Sequence, residues 1–221
     1  HQVKNTKKGF ANAFKNYFNK KDGRSENSGM DPHFLMNSQE ASMKSLIDLS
    51  YLFQDFRTFS TYLKYPMNDF KSIKAIKHYS SCLELQFFSN LLSQPNYYDT
   101  RDFDHSLFAA ANNYLRAKDL KWMIRNLIIM ADVCKSLEKY EEAAKCYLKI
   151  AYNLSSKLWL PALFFEQAGW CYLKLNQQRK FTFYIVKAGI IYEKFDYKPY
   201  SFFCFGIAEP YYTNYKWNEI R

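Results

Sequence analysis

Apolar residues recur along most of this chain at three- and four-residue spacing, the period of a helix with one covered face. The pattern is densest from Met130 to Ala151, MADVCKSLEKYEEAAKCYLKIA. Leu127, Ala131 and Cys134 share one face of a first helix, and Ala143, Tyr147 and Ile150 share one face of a second, with a tight turn between them. The same spacing predicts helices on either side. Asn37 with Glu40 forms a capping box for a helix near 38–54, whose apolar face is Leu46, Leu49, Ser50 and Phe53. A helix from Phe56 carries Phe59 and Leu63 and is ended or kinked by Pro66. Asp69 caps a long helix near 70–92, with Ile73, Ile76, Ser80, Leu83, Phe87 and Leu91 as its buried stripe. A helix near 105–117 presents Leu107, Ala111, Tyr114 and Leu115, and Asp119 opens the next. That next helix is apolar nearly all round from Trp122 to Met130, as expected of a helix covered on two sides. Pro161 fits the first turn of a helix that runs to about Leu175 with Phe164, Ala168, Cys171 and Leu175 inward. Residues 179–195 place Phe181, Ile185, Gly189 and Tyr192 inward, and a last helix starts at Pro199 and is interrupted by Pro210. No run alternates with period two between turn residues, so no strand is expected.

Small residues beside large ones, as in the 130–151 pair, let two antiparallel helices approach closely in a tetratricopeptide-like hairpin. One hairpin cannot bury its own faces. The expectation is therefore all-α: a tetratricopeptide-like, right-handed helical-hairpin solenoid of about eight or nine helices over residues 31–221. Stacked hairpins give an extended surface for other proteins.

Charge changes the picture at one end. The formal net charge is +10, and residues 1–24 hold seven basic residues and one acid. Within residues 3–20, Phe10, Phe14, Tyr17 and Phe18 fall on one helical face and Lys8, Asn12 and Lys15 on the other. A basic amphipathic segment with aromatics on its apolar side suits an anionic membrane surface: Phe10, Phe14 and Phe18 at the acyl boundary, Lys7, Lys8 and Lys15 at the headgroups. A docked helix or a solvated linker are the bland readings of the same stretch. The run KDGRSENSGMDPH at 21–33 is rich in turn residues, so residues 1–30 are expected to be a basic amphipathic segment and linker. The rest of the chain is nearly balanced in charge, which gives little reason to expect nucleic acid. No transmembrane run occurs, residues 1–20 lack the apolar core of a signal peptide, and five irregularly spaced Cys suit reduced buried thiols in the cytosol.

Little resembles catalytic chemistry. His78 and Cys82 share a face at i, i+4, but two ligands do not make a zinc site, and Cys82 reads as a small buried hydrophobe. Cys134 and Cys146 read as packing residues across the hairpin. A Cys171 nucleophile with a His105 base would make a helical enzyme, yet nothing in the sequence brings the two together. No glycine-rich phosphate loop exists among the six Gly. The acidic turn Glu138, Glu141 and Glu142 beside Lys139 is a solvated hairpin tip or a partner contact. The aromatic rows Phe164–Phe165, Phe181–Phe183 and Phe202–Phe205 read as core. The expectation is no enzyme, no metal and no cofactor.

Several stretches resemble one family, in that family's order. They are DPHFLMNSQEASMKSLIDLSYLFQDF (Asp31–Phe56), SSCLEL (Ser80–Leu85), KYEEAAKCYLKI (Lys139–Ile150), PALFFEQAGWCYL (Pro161–Leu173), RKFTFYIVKAG (Arg179–Gly189) and KWNEI (Lys216–Ile220). Together they resemble the C-terminal helical part of the eighth subunit of the transport-protein-particle (TRAPP) complex, the large subunit that characterises TRAPP III. The resemblance implies a non-catalytic scaffold subunit of a vesicle-tethering complex. That complex promotes nucleotide exchange on Rab1-type GTPases in ER-to-Golgi transport and autophagy. Other TRAPP subunits would be direct partners and the GTPase an indirect one. The implied location is cytoplasmic and peripheral, at Golgi, ER-exit or pre-autophagosomal membranes. A helical-repeat peptide-binding adaptor unrelated to TRAPP is the alternative.

Overall fold

A computed structural model describes residues 38–93 and 100–214, with the side chains of 100–105 and 214 outside that description. All described residues belong to one compact unit, His33–Arg221. Among them the structure is entirely helical: α1 Gln39–Leu52, α2 Phe56–Tyr62, α3 Lys64–Ser72, α4 Ile76–Ser93, α5 Thr100–Arg116, α6 Leu120–Ser136, α7 Tyr140–Asn153, α8 Leu160–Lys174, α9 Gln178–Lys194 and α10 Lys198–Asn214. From α4 onward each helix packs on its sequence neighbours, which is the arrangement of a helical solenoid.

Six tight turns share one backbone. Gln54, Lys74, Lys118, Glu138, Asn176 and Asp196 all have φ between 56° and 62°. The N–H of the following residue reaches back to a carbonyl in the last helical turn, as from Lys139 to Cys134 and from Gln177 to Tyr172, each at 2.8–2.9 Å. These bonds satisfy carbonyls that the helix end leaves open, and the left-handed residue that makes them possible is usually glycine. None of the six is glycine. The turns come in pairs twenty residues apart (Gln54 and Lys74, Lys118 and Glu138, Asn176 and Asp196). The turns join the helices in groups: α1 to α4 with α2 and α3 as one broken rod, α5 to α7, and α8 to α10.

Small residues sit at the crossings. Ala131 and Cys134 of α6 meet the α7 face of Ala143, Tyr147 and Ile150, all buried. Gly169 of α8 lies so close to Ile185 of α9 that a Cβ there would stand 3.0 Å from Ile185 Cδ1. Gly189 of α9 is tighter: a Cβ would meet Phe205 Cε1 at 2.8 Å and Cys204 Cβ at 3.1 Å. One core runs from Leu83 and Phe87 to Ala208, and a smaller one gathers Ile47, Phe59, Leu63, Phe70, Ala75 and Cys82; Met67 and Tyr79 touch both.

Four readings of the sequence need correction. Ser38, not Asn37, caps α1, accepting from the Ala41 N–H at 3.1 Å, so Glu40 only lines the first turn. The buried positions of α1 are Ile47 and Ser50, and Leu46, Leu49 and Phe53 face solvent. The single helix at 70–92 is two: α3 ends at Ser72, Lys74 takes the left-handed turn, and Ile73 is exposed. Pro66 does break the helix begun at Phe56: α2 ends at Tyr62, whose carbonyl an N–H at position 66 would have taken, and Pro66 sits buried in the first turn of α3. Pro210 does not interrupt α10, which continues to Asn214 and leaves the Gly206 carbonyl without its helical donor.

Candidate interaction surface

Polar seams tie neighbouring helices together. Glu84 of α4 is 6% exposed. It accepts from Asn126 Nδ2 at 3.3 Å and Tyr114 Oη at 3.5 Å, and pairs with Arg125 of α6. Arg125 also lies 4.4 Å over the Trp122 ring, which stacks near Tyr114. One buried carboxylate thereby holds α4, α5 and α6 in register, and the Asn126 Oδ1 opposite it is buried without a hydrogen bond. A second seam joins α6 and α7: Tyr147 Oη donates to Asp132 at 3.3 Å, and Lys135 pairs with Asp132 at 2.9 Å. The hydrogen bond to Tyr147 raises the Lys135 pKa, and burial raises that of Tyr147. A third joins α8 and α9, where Glu166 accepts from Tyr192 Oη at 3.2 Å and Trp170 Nε1 at 3.4 Å. Lys149 of α7 reaches Asn112 of α5 across the Phe108 ring, and burial lowers its pKa. Charge-assisted bonds of this kind fix geometry more surely than they add stability.

The candidate chemical groups do not assemble. Cys82 is fully buried, and burial pushes its thiol up to about 11. His78, one turn away, packs its ring at a tilt against Phe70, centroids 5.2 Å apart. Cys171 is buried on the α8 inner row and its thiol is also raised by burial, the opposite of what a thiolate nucleophile needs. The His105 side chain lies outside the described residues. Cys134 and Cys146 are buried at the α6–α7 contact. Among the described residues no three His, Cys, Asp or Glu side chains gather as a metal site. Glu141 at the hairpin tip pairs with Lys145 at 3.2 Å, while Glu138 serves the turn backbone. A cleft of about 400 Å³ lies between Phe59, Leu63 and Met67 on one side and Gln86 and Ser89 on the other, with Lys64 as its charged group. Lys7, Lys8, Phe10, Phe14, Lys15 and Phe18 lie outside the described residues.

What the described surface offers is contact area. Large apolar side chains stand in solvent on α1 (Leu49, Leu52 and Phe53, the last 80% exposed), on α9 (Phe183 and Ile190) and on α10 (Tyr200, Phe203 and Phe202, the last 74% exposed). The rows that contain Phe183, Phe202 and Phe203 are therefore core only in part. Grouped exposed aromatics mark association surfaces more often than chance. The outer face of α10 has Phe202 and Phe203 beside Gly206, around which a Cβ would meet nothing within 4 Å. No described helix is long and apolar enough to cross a membrane.

A family model described as "ER-Golgi trafficking TRAPP I complex 85 kDa subunit" matches residues 1–138, more than half of the 221. The chain belongs to this TRAPP large-subunit family. It is also 24% identical over 184 residues to the human Trafficking protein particle complex subunit 8, a match that takes in 81% of the chain and 12% of that protein. The chain thus spans a small part of the length of its curated relative.

Sequence reasoning missed Glu84, because a single acid in an apolar run gives no signal of its burial. It also missed the exposed cations and aromatics of α9, although their spacing was legible.

Proposed function

We propose that this chain is a non-catalytic scaffold part of a TRAPP III-type tethering complex that promotes nucleotide exchange on a Rab1-type GTPase. It supports recruitment of the complex to membranes in early secretory traffic and autophagy. The family match over residues 1–138 carries the reading. The stack of helices, braced by Glu84, Asp132 and Glu166 and carrying exposed aromatics on α1, α9 and α10, suits a subunit whose work is contact with other proteins. In this reading residues 1–30 are the membrane-facing segment, with Phe10, Phe14 and Phe18 against acyl chains and Lys7, Lys8 and Lys15 against anionic headgroups. The chain then works from the cytoplasmic side of Golgi, ER-exit or pre-autophagosomal membranes, and it touches the GTPase only through the complex.

Two measurements test the two halves. Immobilised chain is incubated with a purified TRAPP core complex lacking its own large eighth subunit; retention of core subunits is expected, and none retained refutes the scaffold assignment. Flotation with anionic and neutral vesicles tests the membrane half. Salt-sensitive flotation with anionic lipid is expected, and it should disappear in Phe10→Asp, Phe14→Asp, Phe18→Asp. Equal flotation of the triple variant refutes that half.

A further inference from the structure

The outward face of α9 carries a heptad. Lys180, Lys187 and Lys194 are seven residues apart, and Phe183 and Ile190 are seven apart between them. On a helix of 3.6 residues per turn these five positions form one stripe, opposite the buried row of Phe181, Ile185, Ala188 and Tyr192. Phe183 is 54% exposed and Ile190 56%. The stripe is pre-arranged. Lys187 lies 4.3 Å over Phe165, 4.5 Å over Tyr152 and 6.0 Å over Phe183, and donates to Tyr152 Oη at 3.2 Å. Lys180 lies 4.9 Å over Tyr172, and Tyr172 and Phe165 stack on either side of Tyr184. Lys194 rests 6.0 Å from the Phe195 ring.

None of these three lysines pairs with a carboxylate among the described residues. Glu193 is the acid of α9, and it lies off the stripe. Glu141, the acid near Tyr172, is engaged by Lys145. Three cations beside aromatic rings therefore line this face without a carboxylate among the described residues, with two exposed apolar side chains between them.

We propose that this face docks an amphipathic helix of a partner protein. That helix carries acidic residues at heptad spacing and apolar residues in the adjoining heptad positions. The match is geometric: seven residues advance a helix by about 10.5 Å, so both rows recur at the same interval on the two surfaces. It is also electrostatic, because acids opposite Lys180, Lys187 and Lys194 meet ammonium groups whose side chains are already ordered, which lowers the entropic cost of binding. The chain's own first 24 residues, with seven basic residues and one acid, have the wrong sign to fill this role. The proposal extends the scaffold reading to one surface and one class of partner, and it stands or falls apart from the membrane half.

The probe is a fluorescent 21-residue synthetic helix with Glu at one heptad position and Leu at the adjoining one, titrated with the full chain at low and moderate salt. Saturable binding that weakens with salt is expected. Lys180→Glu with Lys187→Glu and Lys194→Glu should weaken it tenfold or more, and should bind a matching peptide with Lys in place of Glu. Phe183→Ser with Ile190→Ser should weaken it comparably. Lys71→Glu with Lys121→Glu and Lys157→Glu makes the same charge change at exposed positions elsewhere and should bind as the unaltered chain does. Equal binding of a composition-matched scrambled peptide, or equal loss in the two charge-reversed variants, overturns the proposal as non-specific attraction. Absence of peptide binding together with anionic-vesicle flotation that requires the α9 lysines also overturns it, in favour of a lipid surface. Failure of the TRAPP core to be retained, with peptide binding intact, would remove the scaffold reading and leave this one.

Discussion

Three glycines offer one substitution with three different outcomes. Replacing glycine by alanine inside a helix gains about 1 kcal/mol in propensity, other things equal. At Gly206 other things are equal: a Cβ there meets nothing within 4 Å, so the full gain is expected, raising the melting temperature by roughly 2–4 °C for a chain of this size. At Gly169 the new methyl stands 3.0 Å and 3.1 Å from the end of the Ile185 side chain, which can turn away at modest cost. Gain and strain should nearly cancel, leaving a change within about 0.5 kcal/mol of zero. At Gly189 it meets Phe205 at 2.8 Å and the Cβ of Cys204 at 3.1 Å. Cys204 Cβ is fixed to the α10 backbone, so the helix itself must move. Overpacking of this kind costs about 1–3 kcal/mol, and after the propensity gain a net loss near 1 kcal/mol is expected. Thermal melts of the three variants in parallel give the ranking Gly206→Ala, then Gly169→Ala, then Gly189→Ala. If Gly189→Ala stabilises as much as Gly206→Ala, α9 and α10 do not approach as closely as their side chains indicate.

Arg125→Ala should destabilise more than Glu84→Ala, by about 1–2 kcal/mol in a urea titration, because the arginine left behind can reach water and the buried carboxylate cannot; equal losses would refute the asymmetry. Lys118→Gly and Glu138→Gly should each stabilise by about 0.5–1 kcal/mol by relieving a left-handed residue, and Asn176→Gly by less, since asparagine tolerates that conformation. Burial raises the Cys82 thiol to about 11 and the Cys204 thiol to about 12. Both stay protonated in the fold while the unfolded chain ionises near pH 8.5, so stability is full below that pH and falls as pH climbs towards 11–12. Cys82→Ala with Cys204→Ala should flatten the melting-temperature curve between pH 8 and pH 10; an unchanged slope would place the ionisation elsewhere.

Much of the fold was legible because packing repeats with the helical period. The inner rows of α6, α7 and α9, Leu127 to Cys134, Ala143 to Ile150 and Phe181 to Tyr192, are buried as their spacing requires. Pro161 sits in the first turn of α8. What failed had a local cause. The Lys74 turn carries neither glycine nor proline, so α3 and α4 read as one helix. Helix α1 is apolar on more than one side, and periodicity alone could not choose Ile47 over Leu46 and Leu49. The candidate surface was legible only in outline. The lysines of α9 are plain in the sequence, but their resting places over Phe165 and Tyr172 depend on the neighbouring helix.

From α4 to α10 each helix touches chiefly the one before it and the one after it. Contacts so local in sequence carry low contact order, so the chain can nucleate at several hairpins and grow outward on a fast timescale. The same topology governs rupture. Among the described residues, a force applied to α10 meets no strand. It peels α10 from Gly189 and Tyr192, then α9 from Gly169, in steps of one helix. A helical stack of this kind lengthens under load by releasing helices one at a time and recovers them when the load falls.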